Sequence, residues 1–215
     1  MKNNPVSNFI KYYNVHRYRH QSKVHWKPRE DPISYFMKLI KNESGNKTYR
    51  VVDIGCGPGL LVNLVKKMDF EYYGIDNDEA NIQYCIEKYS WKNQVTFSNL
   101  DVTEASLNFS EQDIIVLNGV AHHLDEFQIN TILEKSGRGA ALIICDHLKK
   151  EQKGRIKWLF PQLLQDLDRG KFVRHYSFFE NLTNYTLLYE KIFPIGIAGI
   201  TLWMHFCNYY KHKTS

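Results

Sequence analysis

The sequence predicts an α/β fold: a single-domain, doubly wound sheet of seven strands, mostly parallel, with an antiparallel last strand. Three observations predict it. Strand-like and helix-like stretches alternate from Tyr49 to Cys145. Asp113–Leu117 carries a continuous Ile/Val/Leu run of the kind buried on both faces of a parallel sheet. Two β-rich stretches, Thr186–Ile192 and Ile200–Asn208, close the chain as a hairpin-like pair around the turn residues Pro194–Gly199.

After an irregular basic arm, Asp31-Pro32 reads as a helix start, an acidic cap with proline at the first helical position, and Ile33–Asn42 carries the helix. Tyr49–Ile54 is the first strand, followed by a glycine turn and a helix over Leu60–Lys67. Tyr72–Ile75 is the second strand, with a helix from about Asp78 to Tyr89, and Val95–Ser98 is the third. The fourth strand, Asp113–Leu117, precedes a helix over Asp125–Lys135, and Ala140–Cys145 is the fifth. A longer helix fits Glu151–Leu167, closed by Gly170. Ser177-x-x-Glu180 has capping-box spacing and predicts a short helix to about Asn184. Residues 1–44 thus read as an N-terminal helical lid or arm, and residues 45–215 as the sheet domain, with a covering insertion at about 150–183.

The 215 residues fit one domain that can bury a full core. With 43% hydrophobic and 24% charged residues the chain is globular, which excludes a disordered chain. The net charge of +5 attracts an anionic partner without requiring one. Cys56, Cys85, Cys145 and Cys207 are scattered, with no C-x-x-C and no histidine at zinc spacing, so buried reduced thiols and no metal site are expected. The opening MKNNPVSNF has no apolar signal core, and a cytoplasmic protein is expected. Ile192–Tyr210 runs 19 residues without a formal charge, long enough for a membrane span. Pro194, Gly196, Gly199, His205 and Asn208 divide it into turn and strand, so it is assigned to the sheet; membrane association through 192–210 is the minority reading.

Tyr49–Gly59 reads YRVVDIGCGPG. Glycines at 55, 57 and 59 let the chain turn sharply and let a ligand approach bare backbone. The following helix start adds free N–H groups. The spacing is G-x-G-x-G behind an acid, Asp53, not the G-x-G-x-x-G that cradles a pyrophosphate. A carboxylate at the turn repels a pyrophosphate and suits a ligand carrying an ammonium or sulfonium charge. A nicotinamide oxidoreductase is disfavoured on that ground.

Over roughly residues 45–210 the chain resembles the class I S-adenosylmethionine-dependent methyltransferases. Val120-Ala121-His122-His123-Leu124 is similar to the V-x-H-H-L fourth-strand motif of small-molecule members, and the D/N-P-P-Y/F stretch of amino-group methyltransferases is absent. The resemblance implies a Rossmann-like fold and S-adenosyl-L-methionine as cofactor, with S-adenosyl-L-homocysteine as product. It implies that Gly55, Cys56, Gly57 and Gly59 line the methionine part, with Asp53 fixing the loop and the amino group. Asp76, followed by Asn77, falls where the family binds both ribose hydroxyls, as a bidentate carboxylate acceptor can. Asp101, followed by Val102, falls where the family receives the adenine amino group. Asn118 and Gly119 fall beside the sulfonium.

Methyl transfer asks the protein to align the acceptor and, for a hydroxyl, to remove its proton. His123 or His122 is a candidate base, and so is His147 after the fifth strand, because histidine titrates near neutral pH. Packing and capping are the alternative roles. Asp146 and His147 are adjacent on an extended segment, where neighbouring side chains point to opposite faces and are not expected to meet. Tyr12, Tyr13, Arg17 and Tyr18 of the arm, with Arg174 and Tyr176 of the second covering segment, are candidate lid residues over the acceptor. The acceptor expected is a small molecule, methylated on oxygen, nitrogen or carbon. Two alternatives stay open: an RNA methyltransferase using the basic aromatic arm, and a non-catalytic S-adenosylmethionine-binding subunit.

Overall fold

The computed structural model describes residues 26–43, 47–89, 91–103, 107, 109–136, 141–148, 171–197 and 200–213. A helix covers residues 26–43 (α1). Then follow β1 (Arg50–Ile54), α2 (Val62–Lys67), β2 (Glu71–Asp76), α3 (Glu79–Tyr89), β3 (Val95–Asn99) and β4 (Asp113–Asn118). A single 3-10 turn, Ala121–His123, leads to α4 (Glu126–Lys135), β5 (Ala141–His147), α5 (Tyr176–Glu180), β6 (Tyr185–Ile197) and β7 (Ile200–His212).

The strands form one seven-stranded sheet in the order β3-β2-β1-β4-β5-β7-β6. β1 to β5 are mutually parallel, and β7 runs antiparallel to both β5 and β6. The mostly parallel sheet with an antiparallel last strand is as the sequence predicts. Alternation along the strands feeds two cores. Val51, Ile114, Val116, Ile143 and Tyr209 pack on one face with α1 and α2. Val52, Ile54, Ile115, Leu117, Ile144 and Phe206 pack on the other with α4 and α5. At the opposite end of the sheet from the glycine loop, Arg50 grips Asp113 with two 2.8 Å bonds, Nε to Oδ1 and Nη2 to Oδ2, which fixes the β1–β4 register.

Strands and helices from 49 to 147 fall within one or two residues of expectation. Elsewhere there are three corrections. Asp31-Pro32 lies inside α1 and does not start it. Pro32 forfeits one helical hydrogen bond, but Ile33, Phe36, Met37 and Ile40 bury a continuous stripe against the sheet, and that packing carries the helix through. Second, Ser177 is not a cap. His175 precedes the helix without a side-chain cap bond, and the helix ends at Glu180. Third, Pro194 lies within β6 opposite Met204, and no turn begins there. β6 is an edge strand, where a missing N–H is tolerated.

Ile192–Tyr210 therefore belongs mainly to β6 and β7. No helix among the described residues is long and apolar enough to cross a membrane. The predicted helix Glu151–Leu167, the arm up to residue 25, and most of the insertion at 150–183 lie outside the described residues. All four cysteines are free buried thiols, as expected.

Candidate functional site

Because β1 to β5 are parallel, their C-terminal ends share one edge. The chain passes from β1 to one neighbour, β2, and later to the other, β4, so the strand order reverses between β1 and β4. A crevice opens at such a switch point.

The glycine loop sits there. Gly55, Gly57 and Gly59 have φ of 68, 50 and 68°, the left-handed region that side chains disfavour. Gly55 N and Cys56 N both donate to Ile75 O, at 2.8 and 3.0 Å. A Cβ at Gly55 would stand 2.5 Å from Val120 Cγ2, so the loop packs directly against the turn after β4. Gly57 N donates to Asp76 Oδ2 at 2.8 Å, and Asp78 N donates to Asp76 Oδ1 at 2.8 Å. The Cys85 thiol of α3 donates to Gly57 O at 3.3 Å.

Asp53 is buried at the end of β1 and accepts from Tyr72 Oη at 2.7 Å. Burial pushes its carboxyl up to about 7, against the stabilising Tyr72 bond. The native state therefore holds a proton that the unfolded chain releases between about pH 4 and 7. Asp53 therefore makes folding less favourable as pH rises through that window, and its effect levels off above it. We predict that Asp53→Asn, measured by denaturant midpoints at pH 5 and 8, weakens this pH dependence by on the order of a few kcal/mol. An unchanged profile would contradict the assignment. Burial also raises Asp76, while the Asp78 and Gly57 N–H groups oppose it.

Asp76 ends β2 and Asn77 follows it, while Asp101 and Val102 lie just beyond the end of β3. Asn99 Nδ2 and Leu100 N donate to Asp76 O at 3.0 and 3.1 Å, tying the β3 end to β2. Asp101 caps its own turn, accepting from Thr103 N at 2.9 Å and Thr103 Oγ1 at 2.6 Å; Val102 is buried and Asn77 exposed.

After β4, Gly119 (φ 70°) turns the chain into Ala121–His123. His122 is buried and His123 exposed. Asp146, buried at the end of β5, is the hub of this region. Its Oδ2 accepts from His122 N at 3.0 Å, and its Oδ1 lies 2.5 Å from His122 Nδ1. The same Oδ1 accepts from His147 N at 2.6 Å and lies 3.2 Å from His147 Nδ1. Asp146 and His147 thus do meet, against expectation: the carboxylate folds back on the next residue's backbone and ring, which strict alternation overlooks. Burial alone would raise the Asp146 carboxyl, but His122 and His147 outweigh it and hold it well below the usual range. Burial pushes His147 down, against the pull of Asp146.

Two residues joined to this edge carried no signal in the sequence. Arg29 of α1 is buried, with Nη1 3.5 Å from Asn118 Oδ1 and Nη2 3.3 Å from His205 Nδ1. Its Nε has no partner among the described residues. A Cβ at Gly119 would stand 2.3 Å from Arg29 Nη1, so the guanidinium lies against the turn after β4. His205 of β7 lies tilted against His147, with ring centroids 4.2 Å apart. Only a basic, aromatic arm was visible beforehand, and nothing distinguished Arg29 from its neighbours.

Arg174 braces the histidine turn, donating to Ala121 O at 2.8 Å and Leu124 O at 2.7 Å, while Phe172 N donates to His122 O at 3.0 Å. The Tyr176 hydroxyl is engaged by Glu190 and by Asn208. Tyr12, Tyr13, Arg17 and Tyr18 lie outside the described residues.

Residues 51–139 match the family model of a methyltransferase domain. A probable tRNA (uracil-O(2)-)-methyltransferase of Caenorhabditis elegans is 35% identical over 92 residues, covering 43% of this chain and 14% of that protein. A ubiquinone biosynthesis O-methyltransferase of Rickettsia bellii is 25% identical over 116 residues, covering 52% of this chain and 48% of that one. The chain thus spans less than half the length of these two relatives. The crystal structure of the N-methyltransferase NodS from Bradyrhizobium japonicum shares the fold, with TM-score 0.60 and 13% identity over 87% of this chain and 98% of that one. Glycines that a side chain would overfill, two strand-end acids and a buried guanidinium with an unpartnered Nε fit a ligand with sulfonium, ribose and carboxylate groups. Residues 51–139 are thus similar to a methyltransferase domain, carried on a fold that the chain shares with a solved N-methyltransferase.

Proposed function

We propose that the chain transfers the methyl group of S-adenosylmethionine to a small-molecule acceptor and releases S-adenosylhomocysteine. The acid-flanked glycine loop at the β1–β4 switch point, held by Asp76 through Gly57 N, carries this reading. Bound there, S-adenosylmethionine supplies a methyl carbon already activated by a positively charged sulfur.

Gly55, Cys56, Gly57 and Gly59 form the floor against which its methionine part would lie. Asp53 supports the loop and draws the ammonium group. Asp76, with Asn77 beside it, receives the ribose hydroxyls; Asp101 and Val102 receive the adenine. Asn118 and Gly119 flank the sulfonium. Arg29 is the buried cation suited to the cofactor's carboxylate, which would satisfy its Nε. His122 and His147, joined through Asp146, are the groups that would handle an acceptor's proton, with His123 on the exposed side of the same turn. Arg174 supports that turn through backbone carbonyls and holds the segment from Phe172 across it. The arm of residues 1–44 and the segment around 150–183 would cover the acceptor.

Asp76→Ala removes a charged acceptor of two hydrogen bonds. It is expected to weaken S-adenosylhomocysteine binding by about 1.5–3 kcal/mol, or roughly 10–150-fold, in a calorimetric titration. Binding at wild-type strength would show that Asp76 is not in the site.

Transfer to RNA is the second reading, favoured by the tRNA-methyltransferase relative and the basic aromatic arm. One assay separates the two. The purified chain is incubated with methyl-labelled S-adenosylmethionine and either a metabolite extract or total RNA. Label in a small molecule, identified by mass, supports the proposal; label in RNA alone, with salt-sensitive binding lost in Arg17→Ala, overturns it.

A further inference from the structure

We propose that His122 Nδ1, Asp146 Oδ1 and His147 Nδ1 form a binding site for one divalent transition-metal ion, of which zinc is the type. The three atoms belong to separate side chains on two elements, and they converge. Nδ1 of His122 and Nδ1 of His147 are 3.4 Å apart, and each faces the same carboxylate oxygen, at 2.5 and 3.2 Å. All three residues are buried, and their ligating atoms lie within 4.8 Å of one another.

The spacing of the three atoms suits a single ion. A triangle with those three sides has a circumradius of about 1.8 Å, shorter than the metal–nitrogen and metal–oxygen distances of about 2.0–2.2 Å. A point about 1.1 Å out of their plane lies at such a distance from all three atoms at once. Two imidazoles and one carboxylate are the donor set of catalytic zinc sites that keep open coordination positions.

The ligands are also held before any ion arrives. The Asp146 carboxylate is fixed by His122 N and His147 N, at 3.0 and 2.6 Å. The turn that carries His122 is strapped by Phe172 N to His122 O and by Arg174 to Ala121 O and Leu124 O. Outer hydrogen bonds thus orient the carboxylate ligand and hold the turn of His122, one of the features that support ligands in metal sites.

The site stands at the C-terminal ends of β4 and β5, on the same sheet edge as the glycine loop. What the ion does there rests on the methyl-transfer reading above. With the ion in place His122 and His147 would act as its ligands and not as the base, and an acceptor hydroxyl bound to the ion would lose its proton to solvent. The resulting alkoxide attacks the methyl carbon with its own electron pair, and the C–S pair leaves with the sulfur as neutral S-adenosylhomocysteine. That use selects an oxygen acceptor.

The test uses the full chain, stripped with a chelator and desalted, then titrated with Zn(II) against a chromophoric competitor. One ion per chain with a micromolar or lower Kd is expected. His122→Ala and His147→Ala should each weaken it at least about tenfold, while the exposed His175→Ala leaves it unchanged. Co(II) added to the wild type gives a readout independent of any variant. Two strongly shifted exchangeable imidazole N–H resonances are expected in its proton spectrum, one from each ligating ring. Absence of a stoichiometric ion, zinc binding that survives both histidine variants, or fewer than two such resonances would overturn the site. S-adenosylhomocysteine binding, measured on the same samples, keeps the two proposals apart. An ion bound without any methyl transfer leaves the site standing and fails the transfer reading; methyl transfer by a wild type that binds no ion does the reverse.

Discussion

Asp146→Ala is expected to lower the stability of the chelator-treated protein by about 3–5 kcal/mol, the range found when one partner of a buried ionic group is removed. The carboxylate is 1% exposed and receives two backbone N–H groups and two imidazoles. Truncation leaves His122 N and His147 N inside the protein without the carboxylate they both donate to, and it opens a space at the end of β5. Asp146→Asn should cost less, since an amide oxygen can still accept. The pH profile gives a second readout. A carboxyl held well below its ordinary value contributes stability that is present above about pH 4 and is lost as pH falls towards the lowered value. Asp146→Ala should remove that acid-side loss, which denaturant midpoints between pH 3 and 7 would reveal. A midpoint unchanged from wild type would mean that the histidine turn does not depend on Asp146.

Gly55→Val is expected to abolish S-adenosylhomocysteine binding, with a loss of more than about 100-fold, and to destabilise the fold by about 3 kcal/mol. Two costs combine. The backbone at φ 68° is strained for any side chain and most for a β-branched one. The added Cβ would also stand 2.5 Å from Val120 Cγ2, on the turn that must stay in place for Asn118 and Gly119. Relief of that overlap moves either the loop or the turn, and both face the switch point. Calorimetry and a denaturant titration on one sample check both parts; binding within threefold of wild type would remove the loop from the site.

Much of this edge was legible because its parts are local. The acid–glycine run after a β-branched strand, and the acid ending the next strand, need only short-range signals, and the structure brings the glycine loop and Asp76 together through the Gly57 N–Asp76 bond. The parallel strands were legible because strands buried on both faces are written as apolar runs. The misses share one physical cause, which is packing between distant segments. α1 passes through Asp31-Pro32 because Ile33, Phe36, Met37 and Ile40 meet the sheet, which no local cap signal records. Arg29 reaches Asn118 across 89 positions and His205 across 176. The histidines were visible as candidates, but their union through Asp146 depends on β4 and β5 being neighbours in the sheet and on a carboxylate that folds back along its own strand. Arg174 read as a lid cation, whereas its guanidinium holds the carbonyls of the histidine turn.

The central claim is that the loop from Asp53 to Gly59, with Asp76, binds a sulfonium cofactor and not a dinucleotide. Calorimetric titration of the full chain with S-adenosylhomocysteine, and separately with NAD, tests it most directly. One S-adenosylhomocysteine per chain, weakened about 10–150-fold by Asp76→Ala, with no measurable heat from NAD, is the result predicted. Tight binding of NAD together with no binding of S-adenosylhomocysteine would contradict it.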